Sequence, residues 1–187
     1  MTKQPRSDRR SHRRRRWAAG VLLVLVVFGA ATARLFIWPD LAPIPRHVDA
    51  IIELGGAVMD RRDRLALELA REHRADFLVQ STTTGETGTH TCLAAVPGVT
   101  ILCFHADPNT TRGEAQYIAA EAARHHWGSV ILVTTPDQAW RARLRTTRCF
   151  AGGVYVAIAP LPPPVWIKQV PYQWAATVKA LTVERSC

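Results

Sequence analysis

The first 16 residues of the chain contain almost no acid, since Asp8 stands alone against eight lysines and arginines. The whole chain has a formal net charge of +9. Eight bases less one acid give +7 of that charge to this segment, so that only +2 remains for all the residues that follow. Nucleic-acid binding requires a basic face on the folded domain. Because the excess charge lies in a tail instead, we predict no nucleic-acid partner.

Charged residues are then absent from 17–33, and the apolar run continues to Trp38 with only Arg34 inside it. A helix needs about 20 apolar residues to cross a bilayer. Arg34 lies near the far end, where a long side chain reaches the interface. Since basic residues stay on the cytoplasmic side, we predict a cytoplasmic tail, 1–16, and a single-pass membrane anchor, 17–38, that places the remaining chain outside the cytoplasm.

A cleaved signal peptide is the alternative interpretation of the same segment. Residues 31–33 are ATA, which has the small-x-small pattern of a signal peptidase site. The apolar run is long for a signal peptide, which favours an uncleaved anchor. Both interpretations put the domain outside the cytoplasm.

Nucleotide signatures are missing as well. The chain has neither a G-x-G-x-x-G run nor a Walker-type phosphate loop, so we predict no cofactor. Ser81 lies in no G-x-S-x-G elbow, and no histidine has an obvious pairing with it, which argues against a serine hydrolase.

Cysteine is scarce, and its four copies make an even number. Outside the cytoplasm this indicates disulfides, with three possible connectivities. The most local pairing is Cys92 with Cys103 and Cys149 with Cys187, and the second pair would tie the last helix to the domain. A zinc site built from Cys92, Cys103 and the nearby His90 and His105 is disfavoured, because the spacing matches no standard zinc finger. We predict no metal site.

From residue 48 onward, continuous apolar runs alternate with amphipathic stretches. They predict strands over 48–54, 77–81, 99–104, 129–135 and 153–159 and helices over 61–75, 110–126 and 137–150, with a long polar loop over 82–98. This order indicates an α/β fold, a Rossmann-like three-layer sandwich with a mainly parallel sheet, over 48–187. The proline-rich segment 39–47 is predicted to be a stiff linker that lifts the domain off the membrane.

The chain ends in a predicted helix that contains Val178 and Leu181. Its aromatic neighbours, Trp166, Tyr172 and Trp174, are expected to cover an edge of the sheet rather than to face the membrane.

Ligands of open α/β sheets bind beyond the carboxyl ends of the strands, and two segments there carry candidate chemistry. Thr111 and Glu114 fit a capping box, so Glu114 is expected to cap its own helix; the alternative is that it points into the cleft, at a helix start that suits an anion. In the second segment, which begins the helix predicted over 137–150, Asp137 is the expected N-cap.

Gln138, Arg141 and Arg145 share one face of the helix that follows, while Arg143 points elsewhere, to solvent. Arg141 is placed to bind phosphate or carboxylate through two hydrogen bonds. The equally weighted alternative is a structural salt bridge to Glu114 or another acid.

The runs DAIIELGG, RLALELA, DPNTTRGEA and VILVTTPDQAWRARL, in this order behind an anchor, resemble the YdcF/SanA/ElyC-like family of bacterial envelope proteins. The resemblance covers about 48–158, and its most specific parts are N-T-x-x-x-E-A and V-T-S/T-x-x-x-x-x-R-A. It implies a Rossmann-like domain with a cleft at the strand ends. The family positions carried over are Gly55, Gly56, Arg62, Asn109, Thr110, Glu114, Thr134, Thr135 and Arg141.

Two positions depart from the family pattern. Gln138 stands where the family has a histidine, and glutamine transfers no proton near neutral pH. Ser81 stands where the family has an S-G-G turn, with glycine delayed to Gly85. Both Ser81 and Gln138 remain in the predicted ligand-binding set, and Glu114 is the candidate catalytic residue.

Three functions follow as hypotheses. The first is an anchored envelope protein that binds a small anionic, phosphate-bearing ligand in cell-envelope biogenesis. The second is a hydrolase or transferase on an envelope precursor, with Glu114 as acid and base. The third is a non-catalytic scaffold of cell-wall assembly. Convergence of Glu114 and Arg141 on an open pocket would favour the first two, whereas neutralisation of each by a structural partner would favour the third.

Overall fold

A computed structural model describes residues 7–82, 92–93 and 95–187, with side chains from residue 12 onward. The strands of the described residues form one all-parallel sheet in the order β3-β2-β1-β4-β5. The α/β fold predicted from the sequence is thereby confirmed. The strands are β1 Val48–Glu53, β2 Ala75–Ser81, β3 Thr100–Phe104, β4 Ser129–Thr134 and β5 Gly153–Ile158.

Helices cover both faces of this sheet. Helix α2 packs against β1 and β2 on one face, while α3 and α4 pack together on the other, with α5 outside α4. An apolar helix, α1, precedes the sheet and continues into a short π-helical segment, Ala33–Ile37. The helices are α1 Ser7–Thr32, α2 Met59–Arg71, α3 Thr111–His125, α4 Pro136–Cys149 and α5 Pro163–Thr182.

The central strands are buried on both faces, which explains their unbroken apolar runs. Ile51 faces the α2 side, its neighbour Ile52 faces the α3–α4 side, and both are fully buried. Chain order reverses between β1 and β4, because β1 leads to β2 on one side while β4 pairs with its other side. The carboxyl ends of these two strands are therefore the switch point where such sheets bind ligands.

The helix predicted over 61–75 is four residues too long at its carboxyl end, because it ends at Arg71. His73 has φ of 51°, its N–H donates to Ala70 O, and the N–H of Arg74 donates to Leu69 O. These two bonds form a Schellman motif, whose left-handed position is usually glycine. Ala75, expected in the helix, is instead the first residue of β2 and is buried there.

Helix α1 is the one stretch of the described chain that could span a membrane. By length and composition His12–Ile37 qualifies, with a mean hydropathy of 2.3 in its most apolar window. Only 6% of that window is buried inside the protein, so its apolar surface is not part of the domain core.

The π-helical segment after α1 and the proline-rich linker pack directly on the domain, which differs from the lifted arrangement that the sequence predicted. Phe36 is fully buried, and Leu41 and Ile44 of the linker pack on the two cores. Trp174 of α5 contacts Phe28 and Phe36. The expectation that Trp174 covers a sheet edge is therefore wrong, because the indole packs against α1 and the π-helical segment.

Two disulfides are present, Cys92–Cys103 and Cys149–Cys187, which are the two local pairs predicted. The first joins the loop before β3 to that strand. The second joins the end of α4 to the last residue of the chain, so that the segment after α5 lies against the domain.

Candidate functional site

The starts of α2, α3 and α4 meet at the carboxyl ends of β1 and β4. Gly55 and Gly56, which follow β1, are half-buried. Asn109 and Thr110, which precede α3, are exposed. The predicted site residues below them are buried: Arg62, Ser81, Glu114, Thr134, Thr135, Gln138 and Arg141. The sequence thus predicted where polar side chains would gather, and in the structure all of them except Thr134 belong to a hydrogen-bonded network below the exposed Asn109 and Thr110.

Glu114 points into this network and does not cap its helix. Its Oε1 accepts a hydrogen bond from the N–H of Gly55 at 2.6 Å, and its carboxylate also contacts Ser81. The N-cap is Thr110, whose hydroxyl accepts from the N–H of Gly113 at 3.2 Å. The predicted capping box at Thr111 and Glu114 is therefore wrong, because the N-cap lies one residue earlier and Glu114 bonds to Gly55 instead. The alternative, an inward carboxylate, is the observed one.

Burial sets the protonation behaviour of Glu114. Removal from water raises the pKa of its carboxyl above the usual range, while the bonds from Gly55 and Ser81 and the charges of Arg62 and Arg141 act against this. The carboxyl group is thus part of a charge-balanced interior.

Arg62 crosses from α2 to the start of α4 and is only 1% exposed. Its Nη1 donates to the carbonyl oxygens of Leu54 and Gly55 at 2.6 and 2.7 Å. Its Nη2 donates to Thr135 Oγ1 at 3.0 Å and Gln138 Oε1 at 3.1 Å. Burial lowers the pKa of this guanidinium, and the carboxylates of Glu114, Asp137 and Glu53 oppose the shift. Both terminal nitrogens are engaged, so Arg62 braces the site.

Gly56 makes room for that brace. Its φ of +139° lies in a region that side chains rarely adopt, and a Cβ built there would lie 3.0 Å from Arg62 Nη2. Gly56 is one of the ligand-binding positions carried over from the family resemblance. In the structure the group that approaches Gly56 is the guanidinium of Arg62.

Thr111 links α3 to α4. Its hydroxyl accepts from Arg141 Nη1 at 2.8 Å and contacts Gln138 Nε2 at 3.3 Å. The Nε of Arg141 donates to Gln173 Oε1 of α5 at 3.1 Å. Side chains from α3 and α5 therefore hold Arg141 of α4 in one orientation. Arg141 lies less than two turns from the start of α4.

Asp137 is not the N-cap of α4, because Thr135 occupies that position and its hydroxyl accepts from Arg62. Asp137 is instead buried in the first turn, where Oδ2 accepts from Gln173 Nε2 at 2.9 Å. Its Oδ1 is buried without a partner among the described residues. The proline at the first helical position, Pro136, shifts the helix start one residue ahead of the prediction.

Arg141 retains one free donor within the described part of the chain. Its Nη2 has no hydrogen-bond partner there, and no carboxylate lies within 4.0 Å of its guanidinium. The predicted alternative of a structural salt bridge to Glu114 is therefore wrong. Burial lowers the pKa of Arg141, and the electrostatic effects of Tyr172, Glu114 and Asp137 oppose the shift.

Arg145 shares the helix face of Arg141, as predicted, but belongs to another cluster. It is buried and forms an ion pair with Glu184 near the chain end. Arg143 is half-buried and does not contact the site. Thr134, a predicted ligand residue, is buried, and its hydroxyl has no hydrogen-bond partner among the described residues.

A second polar cluster beside the site was missed from the sequence. The Nε2 of Gln80 donates to Glu53 Oε2 at 2.8 Å and contacts Asp63 Oδ1 at 3.2 Å. Burial, with the hydrogen bond and negative charge of Asp63, raises the pKa of Glu53 to about 9. The available signal was an acid at the end of an otherwise apolar strand, VDAIIEL, and an amide at the equivalent place in the next, FLVQS.

The described residues contain no group of three or more His, Cys, Asp or Glu side chains that could hold a metal ion. His90, from the disfavoured zinc alternative, and Gly85, from the family turn, lie outside the described residues.

We found no match to this chain among models of protein families, curated proteins or solved structures. The family resemblance drawn from the four sequence runs therefore stays a prediction.

Proposed function

We propose that this chain is a membrane-anchored, extracytoplasmic YdcF-like protein that binds a small anionic, phosphate-bearing ligand in cell-envelope biogenesis. The observation that carries the proposal is Arg141: a buried guanidinium held by Thr111 and Gln173, with Nη2 uncommitted among the described residues. A fixed donor of this kind suits phosphate and carboxylate groups.

The starts of two helices, α2 and α4, add to the attraction for an anion. The described starts of α2 and α4 have no side-chain cap, because Val58 carries no acceptor and Thr135 is bonded to Arg62. Uncapped N–H groups and the positive ends of the helix dipoles both favour negative charge. The exposed Asn109 and Thr110 lie at the rim of the same edge, where a ligand would enter.

The compartment is argued from two independent features. The apolar α1 follows a strongly basic tail, which by the distribution of positive charge orients the domain outward. The two disulfides, Cys92–Cys103 and Cys149–Cys187, suit an oxidising environment. The envelope role itself rests on the family resemblance.

A thermal-shift titration tests the binding proposal on the full chain in detergent. The probes are inorganic phosphate, pyrophosphate, a nucleoside diphosphate and a short-chain lipid phosphate. Saturation well above the dissociation constant stabilises a folded protein by a few kcal/mol, or about 5 °C and more in Tm. We expect such a rise with one phosphate-bearing probe, and its loss in Arg141→Gln.

The matched control is Arg143→Gln, which removes the same charge two residues further along α4 and away from the network. It should keep the full shift. No shift with any probe, or equal shifts in the two variants, would contradict the proposal and leave the scaffold interpretation.

An enzyme with Glu114 as acid and base is the second candidate. The observation in its favour is the raised pKa of a buried carboxyl in contact with Ser81. Glu114→Gln separates the two functions, because the amide can still accept from the N–H of Gly55 but cannot transfer a proton. Retained binding with lost turnover of a bound phosphate ester would favour the enzyme; retained binding with no turnover in either form favours the binding protein.

A further inference from the structure

Helix α5 buries two polar side chains and exposes several large apolar ones, which is unusual for a helix on a water-soluble domain. Gln173 and Thr177 are buried, and Gln173 bonds to Asp137 and Arg141 of α4. Around the rest of the helix Ile167 is 80% exposed, and Val178 and Leu181 are 52% and 44% exposed. Within the described residues nothing covers these side chains.

The outward side chains form one continuous stripe. Their spacing of three and four residues places them on a single face of the helix: Pro164, Ile167, Pro171, Trp174, Val178 and Leu181. Helix α5 contains no acidic residue, and its two charged side chains, Lys168 and Lys179, lie together along one edge of the stripe. This is the pattern of helices that lie in a membrane interface, where lysines reach the headgroups.

Trp174 joins this stripe to the anchor. Its ring stacks on Phe28 with centroids 5.0 Å apart and meets Phe36 edge-on at 5.3 Å. Its Nε1 donates to the hydroxyl of Thr32 at 3.1 Å. The stripe is thus continuous with the exposed apolar surface of α1, which a bilayer would surround.

The height of this contact along the anchor matches an interfacial helix. Arg34, paired with Asp40, marks where the anchor becomes polar again. Phe28 lies six residues earlier, or about 9 Å at the rise of an α-helix. Amphipathic helices bury their apolar face about 5–10 Å into the headgroup region.

From this geometry we infer that α5 is a second membrane contact: its Ile167–Val178–Leu181 face lies in the outer surface of the same bilayer that holds α1. This contact fixes the tilt of the domain and is independent of the anion site. It rests only on membrane anchoring by α1.

Site-directed fluorescence on the full chain in phosphatidylcholine vesicles tests the inference. An environment-sensitive label is placed at Ile167→Cys or Val178→Cys, both exposed outside the protein core. The control is Arg71→Cys, exposed at the far end of α2. We expect a blue-shifted emission at both α5 positions that brominated lipid quenches, and a water-like, unquenched emission at Arg71→Cys.

Three outcomes would overturn the inference. Water-like emission at both α5 positions leaves the stripe in solvent. Shielded labels that brominated lipid does not quench, with energy transfer between differently labelled chains, assign the face to a second copy. Failure of the chain to float with vesicles removes the anchor and this contact together, whereas the phosphate titration is unaffected.

A variant pair gives an independent check. Ile167→Glu with Leu181→Glu charges the stripe at two exposed positions, so the unfolding temperature of the domain should not change. The label at Val178→Cys should then shift toward the emission of the Arg71→Cys control and lose most of its quenching. An unchanged blue shift would contradict a lipid environment, because ionised glutamates do not remain in one.

Discussion

At the end of β1, Gly56 and Arg62 are packed so closely that neither residue can be substituted without disturbing the other. The left-handed backbone of Gly56 lies against Arg62, and Arg62 in turn fills the hydrogen-bonding needs of Leu54 and Gly55. Neither residue could be assigned this role from the sequence, because the partner of a glycine is set by tertiary packing.

Gly56→Ala should destabilise the fold by about 1–3 kcal/mol, because the new Cβ meets Arg62 in a backbone conformation that alanine avoids. Chemical unfolding of the full chain in detergent measures the change. Gly128→Ala is the control, since its Cβ would have its nearest neighbour at 3.8 Å. Equal effects in the two variants would rule out a special role for position 56.

Glu53 should make the folded state less stable as pH rises. Its folded pKa is about 9 against 4.5 for the ordinary value, so between these values unfolding releases a proton. Stability is fully present below about pH 4.5 and is lost toward pH 9, by at most about 1.4 kcal/mol per pH unit. Glu53→Gln keeps a donor for Asp63 and an acceptor for Gln80 without this loss.

The free energies of unfolding of Glu53→Gln and the native chain, compared at pH 5 and pH 8, measure the effect. The advantage of the variant should grow with pH. Glu68→Gln, at an exposed position of α2, should show no such growth. An advantage that is the same at both pH values would mean that Glu53 is ionised in the folded protein.

At the scale of elements, apolar periodicity predicted every strand of the described chain to within two residues of each end, because parallel strands buried on both faces leave unbroken apolar runs. Helix starts and ends were less accurate. Helix α2 ends in a Schellman motif built on His73, where no glycine signals the end. Helix α3 is capped by Thr110, which stands beside the equally suitable Thr111. The N-cap position of α4 is Thr135, which makes no capping hydrogen bond and lies two residues before the predicted Asp137.

The segment after α5 should depend on its disulfide. Cys149 and Cys187 are 38 residues apart, and releasing a loop of that size costs about 4 kcal/mol in chain entropy. The double variant Cys149→Ser with Cys187→Ser should lose up to that amount in urea unfolding. Arg145 and Arg148 also bond to Glu184 and hold the same segment. A much smaller loss of unfolding free energy would show that these bonds hold the segment in place without the disulfide.

At the scale of the whole molecule, the sequence predicted that Gly55, Glu114 and Arg141 would lie at the same edge of the sheet, because the carboxyl ends of parallel strands share one edge. It could not predict which of them would be consumed by structural bonds. That depends on α5, whose Gln173 bonds to Arg141 and Asp137 across more than 30 residues of chain. Local periodicity carries no information about such a partner.

The contacts of Trp174 bear on how the leader is processed. A cut after Ala33, as a signal peptidase would make it, removes Phe28 and Thr32 and leaves Phe36 as the remaining one of the three partners of the indole. The released domain would then present fresh indole surface to water, beside an apolar stripe already bare. In this architecture the surface of the indole therefore stays shielded from water when the residues before Arg34 are retained.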